Sequence, residues 1–289
     1  CCEKPEDMQK IFDEQLSRLK TDYIDFYLLH SLDENNFKKC LEFGAYDFLQ
    51  KKKEEGKIRH IGFSFHDSPE VLDDICKTYK WDFTQIQLNY LDVTLQRAKE
   101  QYDILLKYNI PCFVMEPVRG GALANFAPEV NEIFKSANPD VSIASWAIRF
   151  AASLDNVYIV LSGMGDVLQV EDNIKTFSPL KKLVESEYKT IEDAIALYKK
   201  LNQIPCTGCR YCMDCAYGVD IPKVFKMFNQ FKNTESIHDL KLSVHENINS
   251  LPDKCTNCKK CMEHCPQHIL IPEELSKINE FIKSRNLLD

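Results

Sequence analysis

Short apolar runs alternate with amphipathic stretches over residues 1–180. Five apolar runs predict β-strands, at residues 23–29, 58–64, 84–89, 110–115 and 157–162. The amphipathic stretches predict helices near residues 6–19, 38–55, 68–79, 97–108, 141–152 and 166–176. Strands and helices in this order form βα units around a parallel sheet. Because strands this apolar need cover on both faces, we expect an α/β fold, either a barrel or a doubly wound sheet.

The pattern changes after residue 180. Residues 181–203 are rich in Glu and Lys, and their apolar side chains recur at helical spacing, which predicts a linking helix. These apolar side chains are Leu183, Ile191, Ile195, Leu197 and Leu201. Residues 204–289 hold most of the cysteines, with helices predicted between and after the cysteine runs. We therefore divide the chain into an α/β domain (1–180), a helical linker (181–203) and a cysteine-rich domain (204–289).

Composition narrows the classes of partner. The chain has 289 residues, 44% of them hydrophobic, and no run of eighteen apolar residues, so no membrane span is expected. Its net charge of −8 is uneven: residues 1–180 carry 20 Lys and Arg against 29 Asp and Glu, and residues 181–289 carry 16 against 15. A nucleic-acid-binding face needs a basic excess, which neither part has. We therefore expect no nucleic-acid partner.

Eight of the thirteen cysteines form two runs near the C-terminus. The runs are Cys206, Cys209, Cys212 and Cys215, and then Cys255, Cys258, Cys261 and Cys265. A C-x2-C-x2-C spacing lets three thiolates reach three irons of one 4Fe–4S cluster, and a C-x3-C-P ending sends the fourth thiolate to the other cluster. We therefore predict two 4Fe–4S clusters, with Cys265 completing the first run's cluster and Cys215 the second's. The first run departs from the pattern, because it ends in C-x2-C with Ala216 where proline usually follows.

Zinc and disulfides are the alternatives for these cysteines. Zinc takes four ligands in pairs and leaves no role for a third cysteine two residues further on. Disulfides suit small secreted domains, and no hydrophobic leader opens this sequence. Free thiols and oxygen-sensitive clusters predict a reducing cytoplasm. We expect Cys40, Cys76 and Cys112, which stand alone in amphipathic or apolar surroundings, to be core thiols.

Polar residues end the first two predicted strands. The first strand lies in the run TDYIDFYLLH and ends at His30, and the second lies in GKIRHIGFS and ends at Ser64. Chemistry in parallel βα barrels sits at the carboxyl ends of the strands, where a histidine can polarise a carbonyl group. Satisfied polar groups at strand ends are the structural alternative for such residues.

These two segments resemble barrel strands four and five of the aldo/keto reductase family. The resemblance continues through Gln85 and Asn89, through MEPVRGG at residues 115–121, and through LSGM at 161–164 and EDN at 171–173. It covers residues 5–177 in order. The CTGCRYC run at 206–212 and the second cysteine run resemble the iron–sulfur branch of that family. The resemblance implies a (β/α)8 TIM-barrel-type domain followed by a small α-helical, ferredoxin-like iron–sulfur domain.

The resemblance also implies site residues. His30 matches the family histidine that orients the substrate carbonyl, and Ser64 and Gln85 match positions that hydrogen-bond the nicotinamide carboxamide. Met115 stands where many members stack a tyrosine on the nicotinamide ring. The turn after it, with Pro117, Arg119, Gly120 and Gly121, matches the loop that admits the cofactor's pyrophosphate. Asp172 and Asn173 match the adenine-contacting pair.

Two departures bear on the cofactor. Phe65 replaces the asparagine that commonly follows the serine, and His66 stands beside it. Gly163 and Gln169 occupy positions where members preferring NADPH place a lysine and an arginine. A dianionic 2′-phosphate without a cationic partner is poorly held. The nucleotide is therefore NADH or NADPH, with NADH at least as well favoured.

The family's other catalytic residues, an aspartate, a tyrosine and a lysine, lie on its first three βα units. The resemblance begins after those units, with Cys1 where the third strand would end. We therefore expect an N-terminally truncated chain with two unpaired sheet edges, which alone reduces no carbonyl at a useful rate.

The leading functional interpretation is an oxidoreductase that transfers hydride between a nicotinamide cofactor and a small carbonyl or alcohol. Its two clusters relay single electrons to or from a redox protein partner. The alternative is a non-catalytic or electron-transfer protein that uses a degenerate barrel as a scaffold. Purely structural clusters are a third option, and fold alone does not decide among them.

Overall fold

The computed structural model describes residues 4–201, 204–206, 208–213, 215–265 and 267–288, except the side chain of Asn233. Cys1 and Cys2 lie outside the described residues. The chain divides into two compact units. Unit one comprises Cys1–Pro117 and Ala147–Leu183, and unit two comprises Val118–Trp146 and Val184–Asp289. This division places residues 118–146 with the C-terminal part of the chain, whereas the boundaries predicted from the sequence follow chain order and remain predictions.

The described part of unit one contains five strands and the helices that connect them. The strands are β1 (Ile24–Leu32), β2 (Ile58–Phe65), β3 (Phe83–Gln87), β4 (Cys112–Met115) and β5 (Val157–Val160). The helices, numbered along the chain, are α1 (Asp7–Leu19), α2 (Glu34–Glu42), α3 (Ala45–Glu54), α4 (Pro69–Thr78), α5 (Asp92–Leu95), α6 (Ala98–Lys107) and α9 (Val167–Phe177). Helix α7 (Pro128–Ala137) belongs to unit two, and α8 (Ile143–Ala152) crosses the division between the units.

The five strands form one parallel sheet in the order β1-β2-β3-β4-β5. Neighbouring strands are in register, with Gly62 beside Phe83 and Gln85 beside Phe113. All five strands run the same way, so their carboxyl ends lie along one edge of the sheet. The predicted α/β fold with a parallel sheet is confirmed, and each predicted strand is present with its ends shifted by zero to three residues.

The core of unit one forms between this sheet and its helices. Ile61 and Phe63 of β2, Leu72 and Ile75 of α4, and Ile86 of β3 are at most 1% exposed. Aromatic rings close one side of this core, where the rings of Tyr46 and Tyr79 stack 4.0 Å apart and Trp81 packs edge-on against Tyr46. The indole Nε1 of Trp81 donates to the carbonyl oxygen of Ile75 at 3.0 Å, so its polar group is satisfied.

Two helices differ from the sequence prediction. The single helix expected at 38–55 is broken into α2 and α3 at Gly44. This residue adopts a left-handed conformation (φ 62°), which glycine adopts without steric strain. Helix α2 begins earlier than expected because the side chain of Asp33 caps it, accepting from the backbone N–H of Asn36 at 2.7 Å. Helix α7 was not predicted, although Pro128 at its first turn is a typical start signal.

Unit two is helical. Besides α7 it contains α10 (Glu185–Leu201), α11 (Ile221–Thr234), α12 (Ile237–Glu246), α13 (Lys260–Glu263) and α14 (Ile271–Ser284). Its core includes Ile221 and Phe225 of α11, Val244 of α12 and Ile278 of α14, each at most 1% exposed. Six of the eight clustered cysteines pack partly buried against this core, and these are Cys206, Cys212, Cys215, Cys255, Cys261 and Cys265. Among the described residues, no helix is long and apolar enough to cross a membrane.

Candidate functional site

The carboxyl edge of the sheet brings together the residues predicted to bind the nicotinamide end of the cofactor. Ser64 and Gln85 are register partners on β2 and β3, and Met115 ends β4 beside Gln87. His30 lies near the end of β1, where the register shifts between Leu29 and Leu32. Parallel pairing alone therefore places these side chains at the ends of four successive strands.

Ser64 is buried, with 1% of its surface exposed, and its hydroxyl oxygen accepts a hydrogen bond from the backbone N–H of Ser31 at 2.7 Å. A serine hydroxyl has one donor besides its acceptor lone pairs, so this bond leaves the hydroxyl hydrogen to another acceptor. The amide of Gln85 donates to the sulfur of Met115 at 3.5 Å. A thioether is a weak acceptor, so a ligand oxygen would replace it with a net gain.

His30 lies near a second histidine, His66, which follows β2. His30 is exposed and His66 is partly buried. Burial lowers the pKa of His66 below its usual 6.5, the nearby His30 lowers it further, and Asp33 opposes both effects. His66 is therefore held as a neutral imidazole near the predicted catalytic histidine. No role was predicted for His66 from the sequence, although its place directly after a site strand was the signal for one.

A cavity of about 400 Å³ in unit one has His30 in its lining. Tyr27 and Asn36 are among its polar residues, and the hydroxyl of Tyr27 donates to the side-chain oxygen of Gln15 at 2.7 Å. Most of the remaining lining is apolar, including Ile11 and Phe48. Such a lining suits a small ligand with an apolar body and few polar groups.

A buried polar network fixes the loops at the ends of β3 and β4. Asp92 is fully buried, and its carboxylate accepts from the amides of Gln87 and Asn89, each at 2.6 Å. Asn89 also donates to the carbonyl oxygen of Glu116 at 3.0 Å, next to Met115. These hydrogen bonds satisfy the buried groups and hold the Met115 end of the sheet in one position.

The residues predicted to contact adenine lie on α9, which packs loosely. Asp172 and Asn173 are partly exposed, and the amide of Asn173 donates to the hydroxyl of Ser162 at 3.0 Å. Gly163 is exposed with no atom near the position of a Cβ, and the side chain of Gln169 accepts from the backbone N–H of Gly165 at 2.8 Å. No side chain at position 163 or 169 therefore supplies the positive charge that a 2′-phosphate prefers.

The predicted pyrophosphate turn falls on both sides of the division between the units. Pro117 ends the first segment of unit one, and Arg119, Gly120 and Gly121 belong to unit two. The two glycines are exposed and adopt left-handed backbone conformations, with φ of 60° and 89°. Within unit two they line a groove of about 1140 Å³ whose lining also includes Lys223 and Lys226. Exposed glycines and lysines suit the close approach of an anionic ligand.

The side chain of Arg119 turns away from such a role. It is 1% exposed, and its guanidinium donates from Nη1 to the carbonyl oxygen of Pro205 at 3.0 Å and from Nη2 to the side-chain oxygen of Gln267. Pro205 precedes Cys206, and Gln267 follows Cys265 by two positions. The backbone of this turn is thus exposed while its charged side chain is buried beside the cysteine loops.

The first candidate iron–sulfur centre joins residues from both cysteine runs. Cys206, Cys209, Cys212 and Cys265 line one small cavity, with Ile221 and Phe225 of α11 among its apolar walls. Burial, together with the neighbouring Cys206 and Cys265, raises the pKa of the Cys212 thiol to about 12. The backbone N–H of Gly208 donates to the sulfur of Cys206 at 3.4 Å. Cys265 therefore lies with the first run, as the C-x3-C-P ending implies.

The second candidate centre involves the second run and Cys215. Burial, together with the nearby Cys255, Cys258 and Cys215, raises the pKa of Cys261 to about 11. Asn257 and Lys259 adopt left-handed conformations (φ 56° and 64°), which curl the loop between these cysteines. Cys215 thus lies with the second run.

Each set of four thiols fits the donor chemistry of a 4Fe–4S cluster, which takes four thiolates. Among the described residues, no three His, Cys, Asp or Glu side chains converge closely enough to hold a single metal ion. The buried thiols must lose their protons to bind iron, and iron itself supplies the charge that drives this loss.

Comparisons with known proteins agree with this architecture. Residues 2–196 match the model of the aldo/keto reductase family, and residues 205–271 match that of the 4Fe-4S dicluster domain. The oxidoreductase YqkF of Bacillus subtilis is 26% identical over 199 residues, which are 61% of this chain and 62% of that protein. L-galactose dehydrogenase of Arabidopsis thaliana is 26% identical over 231 residues, covering 69% of this chain and 66% of that protein.

Solved structures support the fold. An aldo-keto reductase from Bacillus halodurans superposes with a TM-score of 0.53 at 24% identity, covering 66% of this chain and 68% of that one. A glycerol dehydrogenase from Gluconobacter oxydans gives 0.54 at 23% identity, covering 68% and 65%. The chain spans a little under two thirds of the length of the curated relatives. Because the family model matches more than half of its residues, the chain belongs to the aldo/keto reductase family.

Proposed function

We propose that the protein is an oxidoreductase that transfers hydride between a nicotinamide cofactor and a small carbonyl or alcohol, while two 4Fe–4S clusters relay single electrons. The observation that carries this proposal is the convergence of His30, Ser64 and Gln85 at the carboxyl edge of the sheet. That edge is where barrel enzymes of this kind do their chemistry. Family membership and the dicluster match support the same proposal.

Each residue at this edge has a distinct task. His30 orients the substrate carbonyl by hydrogen bonding, and the neutral His66 adds no positive charge next to it. Ser64 and Gln85 hold the carboxamide of the nicotinamide, and Met115 supplies an apolar contact to its ring. When bound, the nicotinamide supplies the hydride. The apolar cavity lined by His30 would take the body of a small substrate.

The rest of the nucleotide is assigned to the turn and to α9. Pro117, Gly120 and Gly121 would admit the pyrophosphate, because the two exposed glycines carry no side chain that would keep it away from the backbone. Asp172 and Asn173 would contact the adenosine. We propose that the protein accepts NADH and NADPH with less than a hundredfold preference for NADPH, because Gly163 and Gln169 offer no cation to a 2′-phosphate. A hundredfold preference equals about 2.7 kcal/mol.

The eight clustered cysteines would hold the two clusters, in the sets completed by Cys265 and Cys215. Each cluster stores one electron, whereas a hydride carries two, so two adjacent clusters suit a relay to a one-electron redox protein. A reducing compartment such as the cytoplasm suits the free thiols that bind them.

Nucleotide binding tests the site directly. Gln85→Met should weaken NADH binding to the anaerobically purified protein at least tenfold, about 1.4 kcal/mol, in a fluorescence titration. Gln50→Met is the matched control, since Gln50 is equally half-buried but donates to the hydroxyl of Tyr46 on α3. Equal affinities for both variants, or a hundredfold preference of the parent protein for NADPH, would contradict the assigned contacts.

Hydride transfer itself is tested with a nicotinamide deuterated at its reactive carbon. Incubation of a version extended at its N-terminus by the family's first three βα units with a panel of aldehydes should place deuterium in the alcohol product, detected by mass spectrometry. The second candidate function is electron transfer on a degenerate barrel, and it rests on Met115 and Gly163, which replace family residues that hold the cofactor. His30, Ser64 and Gln85 weigh against it. It predicts intact clusters with no measurable nucleotide binding.

A further inference from the structure

Arg119 is one of the largest fully buried side chains of the described protein, and it carries a charge. Burying a guanidinium is costly unless it is hydrogen-bonded and lies near negative charge. Two of its hydrogen bonds go to neutral oxygens, the carbonyl of Pro205 and the side-chain amide of Gln267. These oxygens locate the guanidinium between the first and second cysteine runs.

Both contacts flank ligand positions of the same centre. Pro205 immediately precedes Cys206, and Gln267 follows Cys265 by two residues. Gln267 also lines the cavity formed by the four cysteines of this set. The guanidinium therefore lies beside this group of thiols.

We propose that Arg119 is the buried counter-charge of the cluster held by Cys206, Cys209, Cys212 and Cys265, and that it raises the reduction potential of that cluster. This inference rests on the clusters of the proposed function. Four thiolates and an iron–sulfur core carry net negative charge, and adding an electron makes it more negative. A fixed positive charge in a medium of low dielectric constant favours the reduced state, and salt screens it little.

The glycines and the arginine of the 117–121 turn have different roles. The exposed glycines of the turn face the groove in unit two, while its arginine holds the ends of two cysteine loops together through Pro205 and Gln267. Arg119 is thus a positioning and tuning residue for the cluster. Its planar guanidinium donates to two acceptors at once, in a geometry that the ammonium group of a lysine cannot reproduce.

The test is a redox titration of the anaerobically purified full chain, followed by paramagnetic resonance, in which the two clusters are read separately. Arg119→Gln should lower the potential of the first cluster so that its reduction constant falls about tenfold or more, equal to about 59 mV for one electron. Arg119→Lys should keep most of the potential. The matched control is Arg210→Gln, because Arg210 lies between two ligands of the same cluster but is exposed and paired with Asp220 at 3.3 Å.

The control should give a smaller shift that disappears in high salt, whereas the Arg119→Gln shift should persist. If the Arg119→Gln variant fails to hold the cluster, the Gln267→Glu variant is titrated instead. A carboxylate next to Arg119 neutralises the charge of the guanidinium while Arg119 stays in place, so this variant should also lower the potential of the first cluster. An unchanged potential in the informative variant, or an equal shift of both clusters, would overturn the proposal. Absence of iron and sulfide from the parent protein would instead overturn the proposed function.

Discussion

At the scale of single residues, burial and neighbours give identical side chains different chemistry. Burial raises the pKa of Cys76 and of Cys112 to about 12, so both remain inert core thiols, as their apolar sequence context predicted. Cys212 has an equally raised pKa but has three other cysteines around it. A thiol pKa raised by burial therefore occurs both in core cysteines and in candidate iron ligands. The presence of neighbouring cysteines distinguishes the candidate ligands from the core thiols.

Cross-ligation can be tested with one cysteine. Cys265→Ala should abolish the cluster assigned to Cys206, Cys209 and Cys212 and leave the other, halving the iron content to about four atoms per chain. The resonance signal of the second cluster should persist. Cys40→Ala is the control, because Cys40 is half-buried on α2, outside both runs, and its loss should leave the iron content unchanged. Loss of the second cluster's signal alone in Cys265→Ala would show the opposite connectivity.

His66 predicts a pH dependence of stability. Its folded-state pKa lies below 6.5, mainly because burial penalises the imidazolium. As the pH falls, His66 is therefore protonated in the unfolded chain at a higher pH than in the folded chain. The free energy of unfolding should therefore fall as the pH drops below about 6.5. His66→Asn should reduce this fall, measured by denaturant unfolding between about pH 8 and about pH 5. An identical fall in the parent protein and the variant would remove His66 as its source.

At the scale of elements, parallel register is what assembles the site. The close approach of Phe83 on β3 requires a glycine at position 62 on β2. Two residues further along these strands, Ser64 pairs with Gln85. A Cβ at position 62 would lie 2.5 Å from the carbonyl oxygen of Phe83 and 2.7 Å from its ring. Backbone cannot move that far without disturbing the strand pairing.

Gly62→Ala should therefore destabilise the protein by about 1–3 kcal/mol, the usual cost of overpacking. It should also weaken nucleotide binding, because Ser64 and Gln85 depend on the same register. Gly163→Ala is the matched control, since its added Cβ would meet no atom within 4 Å. Urea unfolding of both variants measures the difference, and equal stabilities would contradict the close packing of β2 against β3.

The sequence predicted the strands well because each is a short apolar run ended by polar residues, as in the runs that end at His30 and Ser64. It predicted too long a helix at 38–55, because the left-handed turn at Gly44 depends on local backbone geometry that periodicity does not record. Arg119 was assigned to the pyrophosphate turn because of its place in the MEPVRGG motif. The direction of that side chain depends on Pro205 and Gln267, which lie far away in sequence.

At the scale of the whole molecule, the chain combines two kinds of candidate redox site. Unit one carries the sheet edge with His30, Ser64 and Gln85, and unit two carries both cysteine sets. Candidate nucleotide contacts occur in both units, since Pro117 belongs to the first and Gly120 to the second. Cluster binding stabilises only folded chains that bring both runs together, so iron should contribute directly to the stability of unit two.

The central claim is that the two cysteine runs hold two 4Fe–4S clusters in a chain of the aldo/keto reductase family. Iron, sulfide and zinc should be measured in the full chain purified without oxygen, since this distinguishes the cluster from every other use of eight cysteines. We expect about eight irons and about eight sulfides per chain, as two clusters require. One zinc per run with no sulfide would contradict the claim.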